Sequence, residues 1–202
     1  MNMQRLELDL KHRLNKSIRL ASARAPLPEN VLDSTDRQRL ASFTTIERKN
    51  QWLRGRSALS AIAEALDIEP RLSELHPPCP GFSLTHNGKI SVAAGIGTTQ
   101  GIGIDFESWH QIEPAMLRWF LTEMEQHQLA VPSNFTRLRL WTVKEALFKA
   151  SSENQSLLLT DFEVNQPTTM TGHARNCTRA NSSLRYTSFM LRQGLLSIAI
   201  ED

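Results

Sequence analysis

The sequence predicts an α+β protein made of two similar lobes, each a helix packed on a small, mostly antiparallel sheet. Two observations lead there. A long helical stretch, 45–66, is followed by three short strand-like runs ending at residue 106, and a second helical stretch, 114–151, is followed by a strand-rich tail. Helix then strands thus occurs twice, although no residue-level repeat accompanies it. The 202 residues can bury a substantial core, as one domain or as two small lobes. The expected boundary lies near Gly97 to Gly101, giving an N-terminal lobe of 1–100 and a C-terminal lobe of 101–202.

Taken in order, Ile46, Leu53, Leu59, Ile62, Ala63 and Leu66 supply an apolar stripe at helical spacing, and Pro70 marks the stop. His76 to Gly81, with three prolines, reads as a turn-rich link. Phe82 to Thr85, Ile90 to Ile96 and Gly101 to Phe106 read as strands. Asn87-Gly88 predicts a hairpin turn between the first two, with His86 sitting at that turn. Pro114 to Ala130 reads as one helix and Asn134 to Ser151 as another, separated by Pro132. Leu157 to Val164 then reads as a strand, 166–183 as a polar, mobile stretch, and Leu184 to Ile200 as a hairpin turning at Gln193-Gly194.

Composition narrows the function classes. Hydrophobic content of 40% with 22% charge indicates a soluble globular chain. No apolar run approaches a membrane span, and Glu7 and Asp9 among the early basic residues are unlike a secretory signal, so the cytoplasm is expected. Cys79 and Cys177 are far apart and in no metal-like spacing, so a disulfide framework is not expected. Net charge is only +2 but uneven. Residues 1–60 hold twelve Lys or Arg against six Asp or Glu, whereas 103–127 hold five acids against Arg118 alone. A basic half beside an acidic half suits a polyanion held between cations and a metal, and is also what ordinary solvated faces present.

Asp105 and Glu107 close a strand that begins with an apolar Gly-Ile-Gly-Ile run. Alternation points both carboxylates to one face from positions about 7 Å apart. On the later helix, Glu145 and Lys149 are one turn apart and share a face, adding a third acid and a cation. Such hard oxygen donors suit Mg²⁺, which keeps positions for water and substrate phosphates. Neither cysteine is near and His110 has no partner at ligand spacing, which argues against zinc. The plainer alternative is a capping box of Thr142 with Glu145 and an ordinary exposed Glu145–Lys149 pair. Upstream, Arg48, Trp52 and Arg56 fall at i, i+4 and i+8, so two guanidiniums share a helix rim about an aromatic, as phosphate binding or a plain surface row requires. His86, between that helix and the acidic strand, is read as a phosphate contact.

Four segments in order carry a resemblance: Arg48 to Arg56 (Arg-Lys-Asn-Gln-Trp-Leu-Arg-Gly-Arg), Phe82 to Gly88 (Phe-Ser-Leu-Thr-His-Asn-Gly), Ile102 to Glu107 (Ile-Gly-Ile-Asp-Phe-Glu) and Trp141 to Lys149 (Trp-Thr-Val-Lys-Glu-Ala-Leu-Phe-Lys). The stretch 48–149 resembles the Sfp-type 4′-phosphopantetheinyl transferases; the first 40 and last 50 residues resemble them only weakly. The resemblance implies a pseudo-twofold fold with the site between two lobes. It implies an enzyme of the holo-[acyl-carrier-protein] synthase type that moves the 4′-phosphopantetheine arm of coenzyme A to a serine of an apo acyl or peptidyl carrier protein and releases 3′,5′-ADP. Asp105, Glu107 and Glu145 would then hold Mg²⁺, Glu145 would be the base, and Lys149 would meet the phosphate under attack. Arg48, Arg56 and His86 would grip the coenzyme phosphates, with Thr85 and Lys144 as further contacts. The implied partners are coenzyme A and the carrier, with neither nucleic acid nor membrane, and a monomer is expected. Met116, Trp119, Phe120 and Met124 are either carrier contacts or core. Two other readings stay open: an Mg²⁺-dependent nuclease, disfavoured because Lys149 follows Glu145 on a helix, and a non-catalytic basic nucleic-acid-binding module, disfavoured because Asp105 and Glu107 would face a polyanion.

Overall fold

Two antiparallel sheets lie edge to edge, and each carries one long helix. The computed structural model describes residues 2–69, 72–75, 79–151, 154 and 156–202. Pro70 and His76 to Pro78, expected as a helix stop and part of a turn-rich link, lie outside the described residues. The first sheet has the order β1–β3–β2, with β1 Arg19–Ala23, β2 Phe82–Asn87 and β3 Ile90–Gly95. The second has the order β4–β8–β7–β6–β5, with β4 Ile102–Ser108, β5 Phe162–Val164, β6 Thr171–Asn176, β7 Leu184–Leu191 and β8 Gly194–Glu201. The α-helices are α1 Met3–Leu14, α2 Ser34–Ser42, α3 Ile46–Ala65, α4 Glu123–Leu129 and α5 Asn134–Ala150. Mixed helices with antiparallel sheets make this an α+β fold. Among the described residues, no helix is long and apolar enough to cross a membrane.

Strand alternation sorts β4 into two faces. Ile102, Ile104 and Phe106 turn to one side, opposite Ile200, Ile198 and Leu196 of β8, and join Leu20, Val92 and Ala94 of the first sheet and Leu6, Leu10 and Leu14 of α1 in one core. Those three leucines recur at i, i+4 and i+8, so one stripe of α1 covers both sheets. The other β4 face meets α5, where Val143, Ala146, Leu147 and Ala150 pack with Leu195 and Ala199. A separate core joins Ala58, Leu59, Ile62 and Ala63 of α3 to Phe82 and Ala93.

Two close features set the geometry of the centre. A Cβ at Gly103 would stand 1.8 Å from the Ala146 carbonyl oxygen and 2.6 Å from the Ala150 amide nitrogen. Only glycine lets α5 lie directly on β4 there. The edges of β2 and β4 are joined by side chains: Ile104 N donates to Ser83 Oγ (3.0 Å) and Phe106 N donates to Thr85 Oγ1 (3.2 Å). Because 83 with 104 and 85 with 106 rise together, the two strands run side by side in the same direction, which brings Thr85 beside Asp105.

Several elements differ from the sequence expectation. The single helix expected over 114–130 is a 3-10 segment, Pro114–Trp119, followed by the short α4. Thr122 and Glu125 form the reciprocal cap that starts a new helix: Thr122 N donates to Glu125 Oε2 (2.8 Å) and Glu125 N to Thr122 Oγ1 (3.2 Å). The capping box weighed as the plainer alternative at Thr142 and Glu145 is not formed: Thr142 sits inside α5, donating to Arg139 O, and the α5 cap is Ser133. Both hairpin turns fall one residue off, at 88–89 and 192–193. The stretch 157–164 contributes only a 3-10 turn, Leu159–Asp161, and the three-residue β5. The polar stretch 166–183 contains β6, which pairs with β7 through polar partners such as Thr171 and Thr187 and therefore lacks an apolar signal. No element was expected before residue 45, where α1, β1 and α2 occur.

Candidate active site

At the centre of the β4–α5 contact lies an acid cluster. Asp105 is 5% exposed. Its Oδ1 accepts from Lys149 Nζ (2.7 Å) and Thr85 Oγ1 (3.1 Å), while its buried Oδ2 has no hydrogen-bond partner among the described residues. A buried carboxylate oxygen left without a donor costs roughly 1–3 kcal/mol or more, so such an atom calls for a water or an ion. Glu107, two residues on, accepts from Trp141 Nε1 (3.3 Å), and His110 Nδ1 stands 4.0 Å from its other oxygen. Burial, and then the charge of Asp105, raises the pKa of Glu107. Burial also raises that of Glu145; Lys149 opposes the shift, and Asp105 and Glu107 add to it. Three carboxylates from two elements therefore share one electrostatic neighbourhood with a single lysine.

Donor chemistry and the unpartnered oxygen fit a hard cation. Among the described residues, no three His, Cys, Asp or Glu side chains form a ready-made metal-binding group. Lys149 instead occupies one oxygen of Asp105.

Beside this cluster, α2, α3 and β2 enclose a cavity of about 190 Å³, lined by Arg39, Arg48, Trp52, Arg56, Leu84 and His86 among others. Helical spacing brings Arg48, Trp52 and Arg56 to it, as expected from their positions. Arg48 is exposed, donates to Gln51 Oε1 (2.7 Å) and lies over the Phe43 ring. His86 belongs to β2 rather than to the turn and forms the link between cavity and acid cluster. Loss of surrounding water first, then Arg48 and Lys149, lower its pKa against the pull of Asp105. Its charged form is therefore disfavoured in the free protein, although the side chain reaches solvent at the mouth of the cavity.

Residues 101–198 match the 4′-phosphopantetheinyl transferase superfamily. No curated protein matches the chain. The superfamily match supports a transferase and suggests phosphopantetheine transfer. It spans β4 and α5, and so Asp105, Glu107, Glu145 and Lys149; the cation-lined cavity lies outside it, on the preceding hundred residues.

Three of the expected coenzyme contacts are engaged by other groups of the protein. Lys144 is fully buried, turned away from the acids, and donates to Glu125 Oε2 (2.7 Å) and to Phe162 O. One residue on a helix is about 100° of rotation, which carries Lys144 into the core while Glu145 and Lys149 stay on the cleft. Arg56, 2% exposed, pairs with Asp36 (3.1 Å), donates to Leu75 O (2.8 Å) and stacks on Trp52, so it braces the cavity wall. Thr85 is buried and engaged with Asp105 and Phe106 N, which makes it a positioning group for the carboxylate. The superfamily resemblance did not single out Arg39, which reaches the cavity from α2. Its only sequence signal is the Asp33-Ser-Thr-Asp36 helix start before it, where Asp33 caps α2 through Asp36 N (2.8 Å).

Proposed function

We propose that this protein transfers the 4′-phosphopantetheine group of coenzyme A to a serine hydroxyl of an apo acyl or peptidyl carrier protein, in an Sfp-type, Mg²⁺-dependent reaction that releases 3′,5′-ADP. The observation that carries this reading is the buried, unpartnered Oδ2 of Asp105 amid three mutually repelling carboxylates, beside a cation-lined cavity and within the superfamily match. Asp105, Glu107 and Glu145 would hold Mg²⁺, which when bound offsets charge on the diphosphate.

The chain's own groups do the rest. Lys149, which is only partly buried and pairs with Asp105, exchanges that carboxylate for the phosphate under attack. Glu145, whose proton affinity burial has raised, accepts the serine proton as the new O–P bond forms and the bond to the 3′,5′-ADP phosphate breaks. His86, whose protonated form a nearby phosphate favours, donates to the diphosphate, and Arg48 with Arg39 takes the 3′-phosphate. Arg56 and Thr85 hold wall and carboxylate in place, and Lys144 serves stability. In this reading, residues 1–100 form the coenzyme-binding lobe and 101–202 the metal and catalytic lobe, related by a pseudo-twofold, in a cytoplasmic monomer.

Mass spectrometry of several apo carriers incubated with the protein, coenzyme A and Mg²⁺ tests this. The expected result is a gain of one phosphopantetheine group, abolished by chelation and by Asp105→Ala in a protein whose circular dichroism is unchanged. No gain on any carrier, or normal transfer by Asp105→Ala, would contradict it.

A further inference from the structure

The acid cluster holds a cation of its own. Lys149 Nζ donates to Asp105 Oδ1 (2.7 Å) and to the Ile104 carbonyl oxygen (3.3 Å). Thr85 Oγ1 donates to the same carboxylate oxygen (3.1 Å), so Oδ1 carries two donors while the buried Oδ2 carries none among the described residues. The remaining acids do not close on Asp105. Glu107 is tied to Trp141 Nε1 (3.3 Å), and among the described residues no three acids form a ready-made metal-binding group. Lys149 is thus the charge that compensates Asp105 in the free protein.

This ammonium is less enclosed than the structural cations. The side chains of Lys144 and Arg56 are 0% and 3% exposed in their ion pairs, whereas that of Lys149 is 27% exposed. It lies within electrostatic range of Glu107 and Glu145, and also of His86, which lines the cation-rich cavity. On its flexible four-carbon stem it is a point charge that can swing, and a phosphate offers it a charge-assisted hydrogen bond. Its departure alone is unfavourable, because it strands a buried carboxylate beside two others. The arrival of a second cation alone is unfavourable too, because two like charges would then share one carboxylate. The two events together remove both penalties.

We infer that Lys149 is a resident counter-cation that holds the acid cluster in a state of low Mg²⁺ affinity until a phosphate-bearing ligand draws the ammonium away, so that metal and coenzyme bind as a coupled pair. The inference rests on the transferase reading above for the identity of that ligand, coenzyme A. Coupling of this kind is reciprocal: whatever factor the coenzyme adds to metal affinity, the metal adds to coenzyme affinity.

The test is a binding measurement without any carrier. Mn²⁺, a paramagnetic stand-in for Mg²⁺, is titrated by electron paramagnetic resonance into the wild type, Lys149→Met, Lys149→Gln and, as a control for net charge, Lys11→Met on α1, each with and without saturating coenzyme A. Glutamine keeps a donor for Asp105 where methionine leaves the carboxylate bare, so one of the two uncharged variants suffices if the other fails to fold. Without coenzyme A, the Lys149 variants should bind Mn²⁺ about tenfold tighter than the wild type, and the control should match the wild type. Coenzyme A should tighten Mn²⁺ binding to the wild type by roughly 5- to 150-fold, and by a factor at least about fivefold smaller in the variants. Equal Mn²⁺ affinity of wild type and Lys149 variants in the absence of coenzyme A would overturn the counter-cation role, and would leave the reaction standing, since carrier modification is scored separately by mass. Wild-type Mn²⁺ affinity unchanged by saturating coenzyme A would overturn it even if neither variant folds. Failure of coenzyme A to bind the wild type, with or without Mn²⁺, would overturn the transferase reading and this inference with it.

Discussion

Replacing Lys144 by Met separates a structural lysine from a phosphate-binding one. The ammonium is fully buried, bonded to Glu125 at 2.7 Å and to the Phe162 carbonyl oxygen. Methionine fills similar space but leaves Glu125, itself 1% exposed, as a buried carboxylate without its counter-charge. Breaking such a pair typically costs 3–5 kcal/mol. Glu125 keeps two backbone donors, Thr122 N at 2.8 Å and Val164 N at 2.6 Å, which places the expected loss near the lower end, about 3 kcal/mol. For a chain of this size that lowers Tm by roughly 6–12 °C. Adding Glu125→Gln removes the stranded charge while keeping an acceptor, so the double variant should recover part of the loss. Urea unfolding and thermal melting give the stability, and carrier transfer at 20 °C gives activity per folded molecule. The expected pattern is a large stability loss with normal transfer. A stability change below about 1 kcal/mol accompanied by lost transfer would refute the structural assignment and return Lys144 to the coenzyme.

Gly103→Ala forces α5 away from β4, because the new Cβ meets the Ala146 carbonyl oxygen; a loss of about 3 kcal/mol is expected in urea, together with loss of transfer as Glu145 retreats from Asp105. His86 supplies the pH dependence. Its imidazolium is disfavoured in the free protein, and a phosphate within hydrogen-bond reach favours it, so binding takes up a proton. Coenzyme A affinity should therefore rise as pH falls from ~8 to ~6, and His86→Gln should flatten that slope in calorimetry. The same depression lowers folding stability as pH falls below the ordinary histidine pKa of 6.5, because the unfolded chain binds that proton first. Trp141→Phe removes the donor to Glu107; the Mg²⁺ concentration for half-maximal transfer should rise about tenfold, with the carrier KM unchanged.

Much of the centre was legible beforehand because it rests on short-range periodicity. Alternation put Asp105 and Glu107 on one face of β4, and helical spacing put Glu145 with Lys149 and Arg48 with Arg56. Those relations hold for any strand or helix, whatever it packs against. The Gly-Ile-Gly-Ile run announced a strand but not that Gly101 and Gly103 exist to admit α5, since that contact joins segments more than forty residues apart. The break at Phe120 and Leu121 was hidden because both side chains are buried and continue the apolar pattern across it. β6 was hidden for the opposite reason, being a mostly polar strand whose alternation carries little apolar signal.

The amino-acid sequence on its own determined which chemical groups exist, at what spacing, and hence which can share a face: three acids, a lysine and a row of guanidiniums. Only the tertiary structure decided which of them face the cleft. Lys144 and Lys149 lie on one helix, yet one is consumed by Glu125 and the other reaches Asp105; Arg56 is consumed by Asp36 while Arg48 stays exposed. The reason is physical. A helix fixes the angle between its side chains locally, whereas desolvation and charge pairing depend on what distant segments bring to each side.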